Sequence, residues 1–274
     1  MKITATIITF NEEENILAAI NSVSWADEVL IVDSNSTDAT RELALKSGAT
    51  VLTNAWPGFA EQKQYAMDHA TNEWVLSLDA DERVSEELRS SIIRLKEMPE
   101  PKLADGYLLS RRTYYQAKWI KGGGWYPDRQ LRLVKKSFGR WKKRHIHESF
   151  QMNPNAKVEK LEGDLLHFTV KDASHHHRMI GERYAPLAAR QMFEDGKRTS
   201  TLKLAVAGPA AFIRSFILKG GFRDGLSGLT IANFAAHHAF LKNVLLWEIQ
   251  QSSTAKSTAA ETGSIKDSNQ LPEK

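Results

Sequence analysis

The first hundred residues alternate between apolar runs of strand character and segments in which apolar residues recur at helical spacing. The runs cover residues 2–9, 28–32, 50–53 and 74–78 and are rich in Ile, Val, Leu and Thr. Short connections between such strands and helices are typical of a parallel sheet with helices on both faces. The pattern therefore predicts an α/β fold with a mostly parallel, twisted sheet flanked by helices.

The pattern changes after a helix that we predict from residue 85 to about residue 97. Alternating segments at Gly106–Tyr115 and Gln130–Lys135 predict antiparallel edge strands that extend the sheet. Leu161–Val170 predicts a further strand. The sheet should therefore continue beyond the first strand–helix alternation.

Helical spacing dominates from residue 172 onward. We expect a sheet domain at residues 1–170, a helical region at 171–250, and a tail at 251–274. The tail is rich in Ser, Thr, Ala and charge and has almost no large apolar residues, so we expect it to be disordered.

The helical region is apolar between residues 202 and 249, but charged residues and a proline interrupt it. Its longest uncharged run, Gly225–Leu241, has 17 residues, fewer than the roughly 20 that a helix needs to span a bilayer. We predict helices that lie in the membrane interface. A buried helical subdomain that packs on the sheet is the alternative.

The chain contains no cysteine, which excludes disulfides, thiolate catalysis and zinc–thiolate sites. Its N-terminal run is apolar only to Phe10 and turns acidic at Glu12, so it lacks the features of a signal peptide. We therefore expect a cytoplasmic location.

Charge is distributed unevenly. Residues 111–144 hold twelve Lys or Arg and one acid, a charge of +11, although the whole chain carries only +4. Aromatic residues are interleaved with these cations, so the segment suits a polyanion such as nucleic acid, anionic lipid headgroups or a phosphorylated glycan. A solvated basic face is the alternative.

Polar clusters follow three of the predicted parallel strands. They are Thr9–Glu12, Asp33–Asp38 and Asp79–Asp81. Ligands of open α/β sheets bind at the carboxyl ends of the strands, so the three clusters should meet in one crevice. Two aspartates separated by one small residue can both reach a hard cation, which predicts Mg²⁺ or Mn²⁺ at Asp79 and Asp81. The first strand lacks the Gly-x-Gly-x-x-Gly fingerprint, and no P-loop is present, which argues against dinucleotide-binding and P-loop enzymes.

These clusters resemble the three hallmark blocks of family 2 inverting glycosyltransferases with the GT-A fold. The second block carries Ser34 where that family usually has a second aspartate. Within the family, the chain is most similar to bacterial glucosyltransferases of lipopolysaccharide core assembly. The resemblance covers about residues 2–250, and the matching stretches are Ile8–Glu13, Val32–Thr40, Trp56–Lys63, Leu78–Glu82, Trp125–Leu133, His147–Glu148 and Gly221–Gly225.

The resemblance implies a role for each candidate site residue. A nucleotide-sugar donor would place its base and ribose against Thr9, Asn11, Glu12 and Asp33. A cation on Asp81, with Asp79 oriented nearby, would neutralise the leaving diphosphate, and Lys63 would add a charge on the phosphates. Glu148 stands where the family carries its general base, with Asp128 as the alternative.

The sequence thus predicts a metal-dependent, inverting hexosyltransferase that transfers glucose from UDP-glucose to the lipid-anchored inner core of lipopolysaccharide. We expect it to be peripheral on the inner face of the cytoplasmic membrane, with the basic segment on a phosphorylated acceptor and no nucleic-acid partner. The same chemistry on a polyprenyl-phosphate or protein acceptor is one alternative. A non-catalytic polyanion-binding protein is another.

Overall fold

The computed structural model describes residues 1–142, 148–170 and 172–266. The chain divides into two compact units, Met1–Asp172 and Ala173–Lys274, which are described separately. The division falls close to the boundary expected after residue 170.

The first unit contains strands and helices in alternation, followed by a strand-rich second half. Its strands are β1 Ile3–Thr9, β2 Glu28–Asp33, β3 Thr50–Thr53, β4 Trp74–Asp79, β5 Glu82–Val84, β6 Gly106–Tyr115, β7 Lys118–Trp119, β8 Asp128–Lys135, β9 Gly139–Lys142, β10 Ser149–Met152 and β11 Val158–His167. Its helices are α1 Ile16–Ser22, α2 Thr40–Lys46, α3 Phe59–His69 and α4 Glu86–Glu97, and short 3₁₀ turns lie at Glu100–Lys102 and Lys136–Phe138.

Nine of the described strands form one mixed sheet in the order β3-β2-β1-β4-β8-β6-β11-β5, with β7 paired to β6. Strands β3, β2, β1 and β4 are parallel to one another, and β6 is parallel to β11. Strand β8 is antiparallel to both β4 and β6, so β4 and β6 run in the same direction. The expected mostly parallel sheet with flanking helices is therefore confirmed.

The prediction that β6 and β8 are edge strands is wrong. Strand β8 inserts between β4 and β6, and β11 pairs with the other side of β6. The outer positions belong to β3 and to β5, a three-residue strand that the sequence analysis did not predict. Alternating polarity along a strand shows that one face is buried, but it does not show which strands lie beside it.

The core of the first unit lies on both faces of the central strands. All seven residues of β1 are buried, as expected for a strand that helices cover on both faces. In α4, Leu88, Ile92 and Leu95 recur at helical spacing and are buried, and Ser85 caps the helix by accepting a hydrogen bond from the Leu88 N–H. Gly163 in β11 approaches α4 so closely that a Cβ would lie 2.2 Å from the Leu88 nitrogen.

The second unit is helical. It consists of α5 Ala173–Arg178, a π-helical turn Met179–Tyr184, α6 Ala185–Glu194, α7 Thr201–Ile213, a second π-helical turn Arg214–Leu218, a 3₁₀ turn Gly221–Asp224 and α8 Gly225–Lys266.

Helix α8 extends to Lys266, well into the segment where we expected a disordered tail from residue 251. Residues 251–266 contain no proline, so every backbone N–H is available to continue the helical hydrogen bonds. Residues 267–274 lie outside the described part of the chain.

Helix α7 and the turn after it are largely exposed. Thr201–Leu218 is an 18-residue apolar helical stretch with a mean hydropathy of 1.4, of which only 6% is buried. Lys203 and Arg214 interrupt the apolar sequence but do not end this stretch. By length and composition alone it could cross a membrane, which is a weak indication by itself because core helices of soluble proteins pass the same test.

Candidate active site

The three polar clusters predicted from the sequence meet at one edge of the sheet. Thr9 at the end of β1 lies in register with Asp33 at the end of β2, and Ile8 lies in register with Asp79 at the end of β4. Strands β6 and β11 point the same way, so their last residues, Tyr115 and His167, also face this edge. The carboxyl ends of five parallel strands therefore define the candidate site.

Hydrogen bonds join the loops that follow β1 and β2. Asn11 has a left-handed backbone (φ 53°), its N–H donates to Ser36 Oγ at 2.9 Å, and its side-chain oxygen accepts from the Thr37 N–H at 2.8 Å. The Asp33 carboxylate is fully buried and accepts from both the N–H and the hydroxyl of Ser36. Asp33 and Asn11 thus fix the shape of the expected nucleotide-binding edge.

Thr9 and Glu12 lie on the same edge. The Thr9 hydroxyl is buried and has no hydrogen-bond partner among the described residues. The N–H of Glu12 donates to Thr40 Oγ1, and its carboxylate accepts from Asn15 Nδ2, both at 2.8 Å. An unpaired buried hydroxyl is unfavourable unless a ligand satisfies it. The nucleotide roles of Thr9, Asn11, Glu12 and Asp33 stay predictions.

Lys63 is a fully buried lysine on α3. It lies on the same helix face as Ala60 and Met67, at a spacing of three and four residues, and this face is buried. Its Nζ lies 2.9 Å from Asp79 Oδ1 and 2.6 Å from Glu148 Oε1. We expected the Lys63 ammonium to contact the donor phosphates, and in this structure it contacts two carboxylates. His147, which precedes Glu148 in the family motif, lies outside the described residues.

Arg132 provides the second buried cation, which the sequence analysis did not single out. Leu108 pairs with Leu131, and Tyr107 pairs with Leu133, so Arg132 is the extra residue of a β-bulge in β8. Its side chain is only 3% exposed, and Nη2 lies 3.0 Å from both Asp79 Oδ2 and Glu82 Oε1. The sequence signal that could have identified Arg132 is its position between the apolar residues Leu131 and Leu133 of β8.

Arg111 connects Glu82 to Asp128. Glu82 is fully buried and also accepts a hydrogen bond from the Asp79 N–H at 3.0 Å. Arg111 lies 3.5 Å from Glu82 Oε1 and 2.6 Å from Asp128 Oδ2.

These contacts form one continuous chain of alternating charges, which we call the charge network. The two carboxylates considered for the general base, Glu148 and Asp128, lie at its opposite ends. Four acids and three bases give it one net negative charge. Its members are, in order, Glu148, Lys63, Asp79, Arg132, Glu82, Arg111 and Asp128.

Two carboxylates of the charge network, Glu148 and Asp79, have lowered pKa values. Burial opposes the ionisation of Glu148, but the Lys63 ammonium outweighs burial and holds the pKa of Glu148 below its usual value. Burial likewise opposes the ionisation of Asp79, yet Lys63 and Arg132 together lower the pKa of Asp79 far below the ordinary range. A carboxylate that is already ionised can accept a proton at neutral pH.

Asp81 stands outside the charge network and suits a divalent cation. Its Oδ2 lies 3.4 Å from His167 Nε2, and the Nδ1 of His167 lies 3.4 Å from the Thr113 hydroxyl, which orients the ring. The described residues contain no group of three or more metal-ligating side chains. Mg²⁺ and Mn²⁺ commonly take only one or two carboxylates and complete their shell with phosphate oxygens and water, so the residues fit such an ion. Sequence reasoning missed His167, which ends an alternating strand without any motif around it.

Comparison with known proteins identifies the family. Residues 4–161 match the family model described as glycosyl transferase family 2. The lipopolysaccharide core biosynthesis glycosyltransferase LpsC of Rhizobium meliloti is 32% identical, over 90% of this chain and 93% of its own. An uncharacterized glycosyltransferase of Rickettsia typhi is 29% identical, over 90% of this chain and 87% of its own. The chain belongs to glycosyltransferase family 2, and the predicted GT-A architecture is confirmed.

Similar solved structures include Staphylococcus aureus TarS in complex with UDP-GlcNAc. It is 14% identical, with a TM-score of 0.48, over 94% of this chain and 92% of that chain. Glucosyl-3-phosphoglycerate synthase of Mycobacterium tuberculosis, solved with Mn²⁺, UDP and glucosyl-3-phosphoglycerate, is 22% identical with a TM-score of 0.34, over 42% of this chain and 44% of that chain.

We expect Lys63→Met to lower the free energy of unfolding by about 3–5 kcal/mol at pH 7, because Asp79 and Glu148 lose their shared buried cation. Both carboxylates have lowered pKa values, so the stability that they contribute is present above their ordinary pKa values of 3.8 and 4.5 and is lost as the pH falls below them. The difference between the variant and the wild type should therefore shrink in acid. Urea unfolding at several pH values measures it.

Lys46→Met is the matched control, because Lys46 pairs with Glu42 on the exposed face of α2. Its stability should stay close to that of the wild type at every pH. Equal losses in the two variants would contradict a special role for the buried lysine.

Proposed function

We propose that this glycosyltransferase inverts the anomeric configuration of its donor sugar and transfers glucose from UDP-glucose to the lipid-anchored inner core of lipopolysaccharide. The observation that carries the proposal is the convergence, at one sheet edge, of the nucleotide-binding candidates, the Asp81–His167 pair and an ionised Glu148. These are the parts that a single displacement at a sugar carbon requires.

In the proposed reaction, a hydroxyl oxygen of the acceptor attacks C1 of the donor sugar. The bond between C1 and the β-phosphate oxygen breaks, and its electron pair leaves with UDP. Glu148 accepts the proton of the attacking hydroxyl, while Lys63 holds the carboxylate through Oε1. Lys63 therefore orients the base and keeps it ionised before the reaction begins.

Asp81 and His167 would hold Mg²⁺ or Mn²⁺, which when bound neutralises charge on the leaving diphosphate. Asp79 would position Asp81 without binding the cation itself. Two cations fix its carboxylate, and its N–H is fixed by Glu82, so the turn that carries Asp81 starts from a rigid strand end.

The lipopolysaccharide acceptor is supported by the name of the R. meliloti relative and by the basic segment at residues 111–144, of which Lys143 and Arg144 lie outside the described residues. A polyprenyl-phosphate or protein acceptor would use the same donor chemistry. A non-catalytic polyanion-binding protein would keep the basic segment but would not need Asp81.

We also propose that the enzyme is peripheral on the inner face of the cytoplasmic membrane, held there by the second unit. Leu218 and Leu226 are each 75% exposed, and Leu202 is 73% exposed, although all three are apolar. Lys219 and Arg223 lie between Leu218 and Leu226 in sequence. Exposed apolar side chains with basic neighbours suit the interface of an anionic membrane, where the apolar groups enter the acyl region and the cations meet the headgroups.

Calorimetric titration with UDP tests the donor site. We expect UDP to bind in the presence of Mn²⁺ and to bind at least about tenfold more weakly with chelator or in Asp81→Ala, because the diphosphate then loses its counter-charge. Asp68→Ala removes an exposed aspartate of α3 and should bind UDP as the wild type does. Equal binding under all these conditions would refute the metal-assisted donor site. Steeply salt-dependent polyanion binding without UDP binding would favour the non-catalytic alternative.

Substitution of the two candidate bases distinguishes their roles. We expect Glu148→Gln to lower kcat by about 10²–10⁴-fold with little change in the donor KM, because Gln can still accept from Lys63 but cannot take up the proton. Asp128→Asn should lower kcat by less than about tenfold. Initial rates with UDP-glucose and a purified inner-core acceptor measure both. The reverse order would assign the base to Asp128.

Vesicle co-sedimentation tests the membrane proposal. We expect binding to vesicles that contain anionic lipid, and Leu218→Asp and Leu226→Asp should each weaken it by about tenfold or more, because each removes an apolar group from the interface and adds a negative charge. Leu45→Asp alters a 57% exposed leucine of α2 and serves as the control. Equal binding by all three variants would exclude the second unit as the membrane-contacting part.

A further inference from the structure

An aromatic cluster lies at the same sheet edge as Asp81. Tyr114 in β6 pairs across the strands with Trp119 in β7, and Phe168 follows the last residue of β11. The N–H of Phe168 donates to the backbone oxygen of Asp81 at 2.9 Å. One hydrogen bond therefore connects this cluster to the loop that would hold the cation.

The three rings contact one another. Their centroids are 5.0 Å apart for Tyr114 and Trp119, 5.6 Å for Tyr114 and Phe168, and 5.4 Å for Trp119 and Phe168. All three side chains are partly exposed. We call them the aromatic platform. Partly exposed rings offer an apolar surface against which the C–H face of a sugar ring can pack.

Two arginines flank the aromatic platform. Arg83 in β5 and Arg112 in β6 are both in register with Leu166 of β11, on opposite sides of that strand, so the two side chains point to the same face of the sheet. The Arg83 guanidinium lies 4.1 Å from the Phe168 ring centroid, and that of Arg112 lies 5.8 Å from the Trp119 ring.

These arginines are only partly neutralised. Asp164 lies 3.5 Å from Arg112, and its other oxygen accepts a hydrogen bond from the Tyr126 hydroxyl at 2.9 Å. Arg83 donates to Asn15 at the long distance of 3.4 Å. The Nε atoms of both arginines are buried and have no hydrogen-bond partner among the described residues. In the described part of the chain Asp164 is the one acid that forms an ion pair with either arginine, so the pair keeps a positive charge. Guanidinium groups bind phosphate and carboxylate oxygens in pairs.

We propose that Arg83, Arg112 and the aromatic platform form an acceptor subsite for a sugar ring that carries an anionic group, either phosphate or carboxylate. This inference rests on the proposed glycosyl transfer, since it places the subsite beside the donor. The rings bind the apolar face of the sugar, and the arginines bind its anionic group.

Ligand-observed NMR titration with three probes tests the subsite: glucose 6-phosphate, glucuronate and glucose. We expect at least one anionic sugar to bind about tenfold more tightly than glucose, because only an anion engages the arginines. The tighter of the two anionic probes identifies the group that the subsite takes. Failure of the wild type to prefer either anionic sugar would overturn the proposal.

The variants Arg83→Gln and Arg112→Gln should each weaken binding of the anionic sugar by about tenfold and leave glucose unaffected. Trp119→Ala should weaken all three probes, because it removes a ring that contacts every sugar. Arg83→Lys should be intermediate, since it keeps the charge but loses the planar fork. Arg89→Gln alters an exposed arginine of α4 that lies outside the basic segment; it is the control and should bind as the wild type does. Equal weakening by Arg89→Gln would reduce the effect to general surface charge and overturn the subsite.

Titration of UDP into the same samples separates this inference from the proposed function. Unchanged UDP affinity shows that the variants are folded and that the donor site is intact. Loss of sugar discrimination with intact UDP binding would overturn the subsite alone. Absence of UDP binding in the wild type would overturn the donor proposal, whatever the sugars do.

Discussion

The site depends on the ion contacts of one buried ammonium group. Lys63 has no solvent exposure, so its charge must be balanced within the protein, and Asp79 and Glu148 balance it. These residues come from α3, from the end of β4, and from the segment before β10. A single cation therefore ties together three parts of the first unit that are distant in sequence. Moving any of them would break at least one ion contact of this buried ammonium group, which favours a fixed arrangement of the edge.

The two aspartates of the Asp-x-Asp motif consequently have different surroundings. Asp79 lies between Lys63 and Arg132, and its N–H is bound by Glu82. Asp81 has no ion pair with the charge network among the described residues. Its carboxylate lies 3.4 Å from His167 Nε2. A carboxylate already paired with two cations has little charge left for a metal ion, whereas Asp81 can share its charge with one. The first aspartate is thus suited to orientation and the second to ligand binding.

The insertion of β8 between β4 and β6 widens the edge on which a substrate can bind. It brings Arg132 and Asp128 beside the proposed donor site and displaces β6, β7 and β11 outward. Tyr114, Trp119 and Arg112 lie on β6 and β7, Phe168 directly follows β11, and Arg83 lies on the outermost strand β5. Glycosyl transfer needs two substrates side by side, and the proposed donor and acceptor sites would adjoin along one edge of the mixed sheet. The β-bulge at Arg132 interrupts the pairing of β8 with β6, whereas the pairing of β8 with β4 is regular.

The sequence by itself determined the strand and helix alternation of residues 2–97, the polar clusters at the strand ends, and the family. Apolar periodicity and short polar motifs are local properties, so they can be detected without knowledge of the fold. The same information indicated Asp79, Asp81, Glu148 and Asp128 as candidates, although it could not show that Glu148 and Asp128 lie at the two ends of one network.

The tertiary structure alone decided the strand order, the short strand β5, and the partners of the buried charges. Lys63 and Glu148 are 85 residues apart, and Arg132 and Asp79 are 53 residues apart. Neither pair has a spacing that a motif could encode. His167 gained its neighbour Asp81 only because β11 pairs with β5. Such contacts depend on long-range strand pairing and on the need to neutralise buried charge, and both are properties of the assembled sheet.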